Sequence, residues 1–325
     1  MIRKGSFRKY LSIAIMTLIT VSLNAQTTIA DVINTFNAGA EQVNAGDFEA
    51  AVAKFEETIA LADSLGPEGD EMKANATGQI PALYYHMAMD TYKEKDISGA
   101  ISKFEATVEA CDKYGNDDVR EKSLKYIPQL YNAQGNTQVK DEEYDAALAS
   151  FDKAIEYQPD YARAVYGKAL VYKRQNDDAN MLATMARVIE VGTASGDDKT
   201  ADAATKALKD HYLNAGKIAF KAEDYEAALA AFDKSYAYDD TDAEPYYLTC
   251  VIYGKQEQYE KVVEAGLKAV QYQEAADQAK IWYEVGNAYM SLVEYEKACD
   301  AYSKALVEPY LATVKYKMDN VLKCQ

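Results

Sequence analysis

Between Trp282 and Ala305 the chain sets down a pattern that it repeats elsewhere with less fidelity: Trp282, Val285, Gly286 and Tyr289, then Ala298, Tyr302 and Ala305. Self-similarity at a fixed period constrains a fold more than composition does, because each copy has to bury its apolar face against the next copy. Steps of three and four put Trp282, Val285, Gly286 and Tyr289 on one face of a helix and leave Tyr283 and Asn287 on another. A second helix does the same with Ala298, Tyr302 and Ala305. Gly286 and Ala298 are small enough for two antiparallel backbones to approach closely, and the rings fill the remaining space. Trp282 accordingly reads as a packing residue rather than a ligand contact.

Written out, the spacing is W-x2-[LV]-G-x2-Y followed by A-x3-[FY]-x2-A. It resembles the tetratricopeptide repeat, a helix-turn-helix unit of about 34 residues. Aligned on the middle of each second helix, seven copies run through Phe55, Phe104, Phe151, Met185, Phe232, Gly266 and Tyr302, at steps of 49, 47, 34, 47, 34 and 36. Three junctions thus carry about 13 residues beyond the repeat. The resemblance implies an all-α fold, a right-handed α-solenoid forming a single array over residues 26–309, closed by a capping helix over 310–325. No stretch of alternating β-branched residues bounded by turns competes with the helical period.

The copies differ in quality. The first keeps Gly39, Phe48, Ala51 and Phe55, with Gly46-Asp47 marking the turn, and Pro159 ends the second helix of the third. The fourth has Met181 and Met185 where a small residue and a ring belong, and the sixth has Cys250, Val262 and Gly266 at marked positions, which leaves its packing undefined by the pattern. The long junctions open alike, with Gly69-Asp70-Glu71, Gly115-Asn116-Asp117-Asp118 and Gly196-Asp197-Asp198, and carboxylates there suit a helix start. An added helical stretch is therefore expected before the next first helix. Pro81 and Pro128 should break or kink it by pushing Ile80 and Ile127 out of helical conformation, whereas from about Lys199 to Lys221 it should run unbroken. After Pro309, Leu311, Val314, Met318, Val321 and Leu322 share one face of an amphipathic closing helix, with Lys315, Lys317, Asp319, Asn320 and Lys323 elsewhere.

Arg3, Lys4, Arg8 and Lys9 precede an apolar run from Leu11 to Leu23, and Ala25-Gln26 offers a cleavage point. Residues 1–25 read as a signal peptide, with a retained anchor as the alternative. As a helix the run is about 20 Å long, short of the roughly 30 Å hydrocarbon core. Export to the periplasm, cell envelope or extracellular space is expected, with no stable membrane insertion once the segment is removed. Its removal leaves 31 basic against 52 acidic residues, a net charge of −21 in place of −17, which argues against nucleic acid as a partner. Cys111, Cys250, Cys299 and Cys324 are widely spaced, with no C-x-x-C, and read as free buried thiols.

The two histidines, His86 and His211, fall in different copies, and no hydrolase, phosphate-loop or dinucleotide motif occurs. No catalytic residues, cofactors or metal ligands are expected. Asp117-Asp118, Asp197-Asp198 and Asp239-Asp240-Thr241-Asp242 lack the alternating oxygens, glycine and late glutamate of a calcium loop and read as helix caps. The function expected is a non-enzymatic, exported scaffold or adaptor for a protein or peptide partner. The competing reading is a binding protein for a small ligand, a sugar or peptidoglycan fragment, on which some of the 27 tyrosines stack.

The resemblance further implies a concave groove lined by first helices. The register places Tyr85 and Tyr92 there from the second copy, Asn132 and Asn136 from the third, and Arg163, Tyr166 and Lys173 from the fourth. The last three copies add Lys217 and Lys221, then Tyr247, then Tyr283 and Asn287. Basic and aromatic side chains on an acidic chain suit an extended, partly acidic peptide. The family's clamp for a terminal carboxylate uses Lys, Asn and Arg on three consecutive copies; Asn132, Asn136 and Arg163 are present without the rest, so that activity is not carried over.

Overall fold

The computed structural model describes residues 27–324, so the candidate signal peptide and its cleavage point lie outside the described residues. All regular structure among the described residues is helical, as the resemblance implies. The helices come in antiparallel pairs: α1 (Ile29–Ala45) with α2 (Phe48–Leu65), α3 (Asp70–Lys93) with α4 (Ile97–Tyr114), and α5 (Asp117–Lys140) with α6 (Tyr144–Tyr157). Then come α7 (Ala162–Arg174) with α8 (Asp178–Ser195), α9 (Asp198–Lys221) with α10 (Tyr225–Tyr236), α11 (Ala243–Lys255) with α12 (Tyr259–Tyr272), and α13 (Ala279–Ser291) with α14 (Tyr295–Ser303). A short α15 (Leu311–Tyr316) passes into a π-helix over Lys317–Leu322.

Inside each pair the turn has one construction. Its left-handed residue is Gly46 in the first pair and then Lys95, Glu142, Asn176, Glu223, Glu257 and Val293. These lie 49, 47, 34, 47, 34 and 36 residues apart, the steps of the aligned second-helix positions, so the repeat register holds in the backbone as well as in the side chains. Acids cap helices throughout: Asp47, Asp177, Asp197, Asp224 and Asp242 each accept an amide of the first turn. Asn116 does so at the start of α5, ahead of Asp117 and Asp118. The acidic clusters thus have a structural job at the positive ends of helices.

The long junctions lengthen first helices rather than add separate ones. The third behaves as expected, with α9 unbroken. The other two do not, because Pro81 and Pro128 sit inside continuous α3 and α5. A proline within a helix costs about 3 kcal/mol. Ile80 and Leu83 flank the first, Ile127 and Leu130 the second, and all four are buried. Burying such side chains is worth about 1.5–3 kcal/mol each, which outweighs the lost amide bond and holds Ile80 and Ile127 helical.

The sequence implies one array; the described residues group into two compact units, 27–87 with 106–120, and 88–105 with 121–324. In the first, Phe55 packs with Ala51, Val52, Ala76, Ile80 and Leu83, and Phe36 lies tilted against it at 5.2 Å. His86 stacks on Phe48 at 5.5 Å. In the second, each cluster hands over to the next along the pairs. The Phe151 ring rests against Gly135 of its own first helix and Gly167 of the following one. Met181 and Met185 are buried with Val165, Ala169, Val188, Ala204 and Leu208, so flexible side chains fill the degenerate fourth copy. The sixth copy is also closed: Val285 packs over Gly266, beside buried Cys250 and Val262. Trp282 is half-buried, donates from Nε1 to Gln278 Oε1 at 3.1 Å and lies under the Lys304 ammonium at 4.3 Å.

The cysteine expectation is half corrected. Cys111 and Cys250 are free and buried, but Cys299 and Cys324 form a disulfide with Cα atoms 5.7 Å apart. Nothing in their spacing announces it, since the pairing depends on the chain turning back after Pro309. The closing segment also departs from its expected faces. Val314 is fully buried and Met318 and Leu322 half-buried, yet Val321 is 53% exposed and Lys317 turns inward. The change from α to π after Tyr316 alters the rotation per residue, so a 3.6-residue wheel misplaces the residues beyond it.

Candidate binding surface on the first helices

Within the second unit the first helices touch one another as well as their partners: α7 meets α9, α9 meets α11, and α11 meets α13. Side chains turned away from the second helices on these four elements therefore share a continuous face. At one end of it, Arg163 is exposed but its Nε donates to Asp197 Oδ2 at 3.3 Å, and the two line a cleft of about 430 Å³ with Tyr161 and Gln129. Tyr166 packs against the Val165–Met185 cluster. Lys173, exposed in the last turn of α7, lines a larger cleft of about 600 Å³ with Lys206, Asp210 and His211. Lys217 is ion-paired with Glu244 at 2.6 Å, and Lys221 ends α9 in solvent.

The residues from earlier copies are placed separately. Tyr85 is half-buried on α3. Tyr92 is 40% exposed, its ring edge-on to Tyr126 at 5.5 Å. Asn136 is exposed, while Asn132 buries its Oδ1 without a hydrogen-bond partner. Of the expected basic residues, Arg163 and Lys217 are each paired with a neighbouring acid, Asp197 and Glu244.

The other end of the face brings three of the expected residues, Tyr247, Tyr283 and Asn287, around a group the register does not select. Glu284 lies half-buried on α13, and burial pushes its carboxyl above the usual carboxylate range, against the opposing pull of Asn287 and Lys317. Asn287 Oδ1 accepts from the Tyr302 hydroxyl at 2.8 Å and from the Lys317 ammonium, which itself donates to the Tyr302 hydroxyl at 3.2 Å. Lys317 also lies 5.3 Å from the Tyr283 ring centre and 5.4 Å from that of Tyr302, and burial lowers its affinity for the proton. Tyr283 stacks on Tyr310 at 4.9 Å. The closing segment therefore lies over Tyr283 and Asn287 and supplies a cation of its own.

Beside this network a cleft of about 340 Å³ opens between α11, α12 and α13, lined by Val251, Gly254, Lys255, Tyr259, Val262, Glu284, Asn287 and Ala288. Tyr247, deeper on α11, has its hydroxyl pushed up to about 12 by burial, and Lys280 lies 4.6 Å over its ring. Burial likewise pushes the Cys250 thiol up to about 12, which makes it an unreactive packing group. Glu284 falls two places from Trp282 on the face the repeat pattern leaves unmarked, and the register that selects Tyr283 and Asn287 omits it. The signal available in the sequence is its spacing of three from Asn287, which makes the two neighbours on a helix surface.

Residues 132–196 match a family model described as tetratricopeptide repeat, and residues 279–306 match a second one. No curated protein matches the chain. Among solved structures, a tetratricopeptide repeat protein of Bacteroides fragilis is 18% identical over 75% of this chain and 97% of its own, with a TM-score of 0.37. One from Parabacteroides merdae is 14% identical over 90% and 99%, with a TM-score of 0.29. YrrB, described as a TPR protein with an unusual peptide-binding site, is 18% identical over 58% and 91%, with a TM-score of 0.31. Among the described residues no group of three or more His, Cys, Asp or Glu side chains is placed to hold a metal, and no helix is long and apolar enough to cross a membrane. With helix pairs in constant register, glycines set against rings and two matching stretches, the chain is a tetratricopeptide repeat protein.

Proposed function

We propose that this chain is a non-enzymatic scaffold that holds a protein partner on the first-helix face of its second unit. Proteins built from these repeats in general act as docking platforms. The observation that carries the reading is the continuity of α7, α9, α11 and α13, which offers Lys173, Lys221, Tyr247 and the Glu284 cleft from one face. We place the protein outside the cytoplasm, in the periplasm, cell envelope or extracellular space. The candidate signal peptide motivates this, and the Cys299–Cys324 disulfide supports it, since such a bond persists where thiols are not kept reduced.

A photo-crosslinking residue placed at Lys221, Tyr247 or Lys173 in cells, followed by mass spectrometry, tests the face. One partner should be captured from these positions and not from Glu226 or Glu260, on the second helices. Capture from the second helices alone would move the surface to the other side. Reversing Arg163 and Lys217 is a poor test, because each change also breaks an internal ion pair.

A further inference from the structure

Resting on that scaffold reading, the chemistry of the partner can be drawn from the cleft between α11, α12 and α13. Its walls are aliphatic on three sides, from Val251, Val262 and Ala288, with the Tyr259 side chain beside them. The charged groups that line it are Glu284 and Lys255, and they differ in setting. Lys255 is exposed at the end of α11, whereas Glu284 is half-buried, hydrogen-bonded with Asn287 and in no ion pair among the described residues. Lys317, the cation that acts on it electrostatically, is committed to Asn287 and to the Tyr302 hydroxyl. A partly desolvated carboxylate is unfavourable unless an opposite charge or hydrogen-bond donors reach it. Here the fold brings such a carboxylate to the wall of an open cleft, beside Asn287.

We propose that this cleft takes a basic side chain of a protein partner, its methylene stem against Val251, Val262 and Ala288 and its cationic head against Glu284. The cleft's volume of about 340 Å³ exceeds that of a lysine or arginine side chain, so there is room for stem and head together. The sign of the partner is thereby the reverse of the one the sequence suggests. Arg163 and Lys217, two of the cations expected to attract an acidic peptide, are already paired with acids, and the partly buried charge in the wall of this cleft is negative. A net charge of −17 for the whole chain steers a basic partner inward and repels an acidic one.

The test is fluorescence anisotropy of a labelled peptide of alternating lysine and glycine, titrated with the full mature chain at physiological ionic strength, where the Debye length is about 8 Å and diffuse attraction is screened. Glu284→Gln is expected to weaken binding at least about tenfold. Glu296→Gln, which removes the same charge from exposed surface on α14, should leave it unchanged. Gly254→Leu provides a second, uncharged route: a Cβ there meets only Val262 Cγ2, at 3.9 Å, so the longer side chain fills the cleft without strain and should also weaken binding. Equal affinities for Glu284→Gln and Glu296→Gln overturn the proposal, as does preferential binding of the matching glutamate–glycine peptide. Neither result touches the scaffold reading, which stands or falls on crosslinking from the first-helix face.

Discussion

Removing the Cys299–Cys324 link should loosen one end of the molecule and leave the other untouched. The bond closes a loop with a sequence separation of 25. The chain-entropy estimate for a loop of that length is about 3.5 kcal/mol at 25 °C, an upper figure because native strain and residual structure both reduce it. Besides the bond, the closing segment is held by Val314, fully buried, by Met318 and Leu322, half-buried in the cluster with Tyr302, Tyr283 and Met290, and by the Lys317 hydrogen bonds to Asn287 and Tyr302. Losing even about 1.4 kcal/mol of local stability speeds opening tenfold. Hydrogen exchange on the intact protein, before and after treatment with a dithiol, reads this directly. Amides of Val314 to Leu322 should exchange at least about tenfold faster, those of α13 and α14 somewhat faster, and those of α1 and α2 unchanged, since couplings in a repeat array fade with each interface. Thiol titration in denaturant must rise from two groups, Cys111 and Cys250, to all four. Unchanged exchange at Val314 once four thiols are counted would refute the argument, and an equal loss in α1 would refute the nearest-neighbour picture behind it.

Val293 holds φ at 62° with its side chain 65% exposed, a β-branched residue in the left-handed region with little packing to lose. Val293→Asn should raise stability by about 1 kcal/mol in urea unfolding, and no gain would mean that the strain is relieved elsewhere. A methyl group at Gly286 meets Tyr302 Cδ1 and Cε1 at 2.6 Å, so Gly286→Ala should cost about 1–3 kcal/mol by overpacking, checked by the same titration. Glu284 has a folded-state affinity for its proton above that of the unfolded chain. Its contribution to stability is therefore present below the ordinary glutamate pKa and lost as pH rises through the raised value. Glu284→Gln should accordingly melt higher than the parent at pH 7 and level with it near pH 4; the opposite order would show the carboxylate to be favourably paired.

The fold is legible in the sequence because its determinants are local and repeated. Phe55, Phe151, Phe232 and Tyr302 mark their copies by spacing alone, and each lies buried where the pattern puts it. Pro81 and Pro128 mislead because a propensity of about 3 kcal/mol looks decisive until burial on both flanks is added, and burial is a property of the neighbouring helices. The site is less legible for the same reason. Register says which residues leave the core, so Tyr247, Tyr283 and Asn287 can be picked out. It does not say that Arg163 meets Asp197, 34 residues away, or Lys217 meets Glu244, nor that Lys317 returns from the end of the chain to sit against Asn287. The charge of a surface is set by such distant pairings, and one sequence read alone gives them no signature.

Apart from α1, with 17 residues, the first helices come in two lengths, and the difference has a geometric consequence. α7, α11 and α13 have 13 residues, while α3, α5 and α9 have 24. At about 100° per residue, the difference of 11 is three full revolutions with roughly 20° left over. The longer form therefore extends a helix by about 16 Å and returns every side chain nearly to the azimuth it has in the shorter form. Length can thus be exchanged between copies as a module, with buried stripes still meeting and outward residues still aligned from helix to helix. Adding nine or thirteen residues inside one of these helices would instead rotate everything beyond the insertion by about half a turn or about two fifths of one, turning its apolar stripe away from its neighbour.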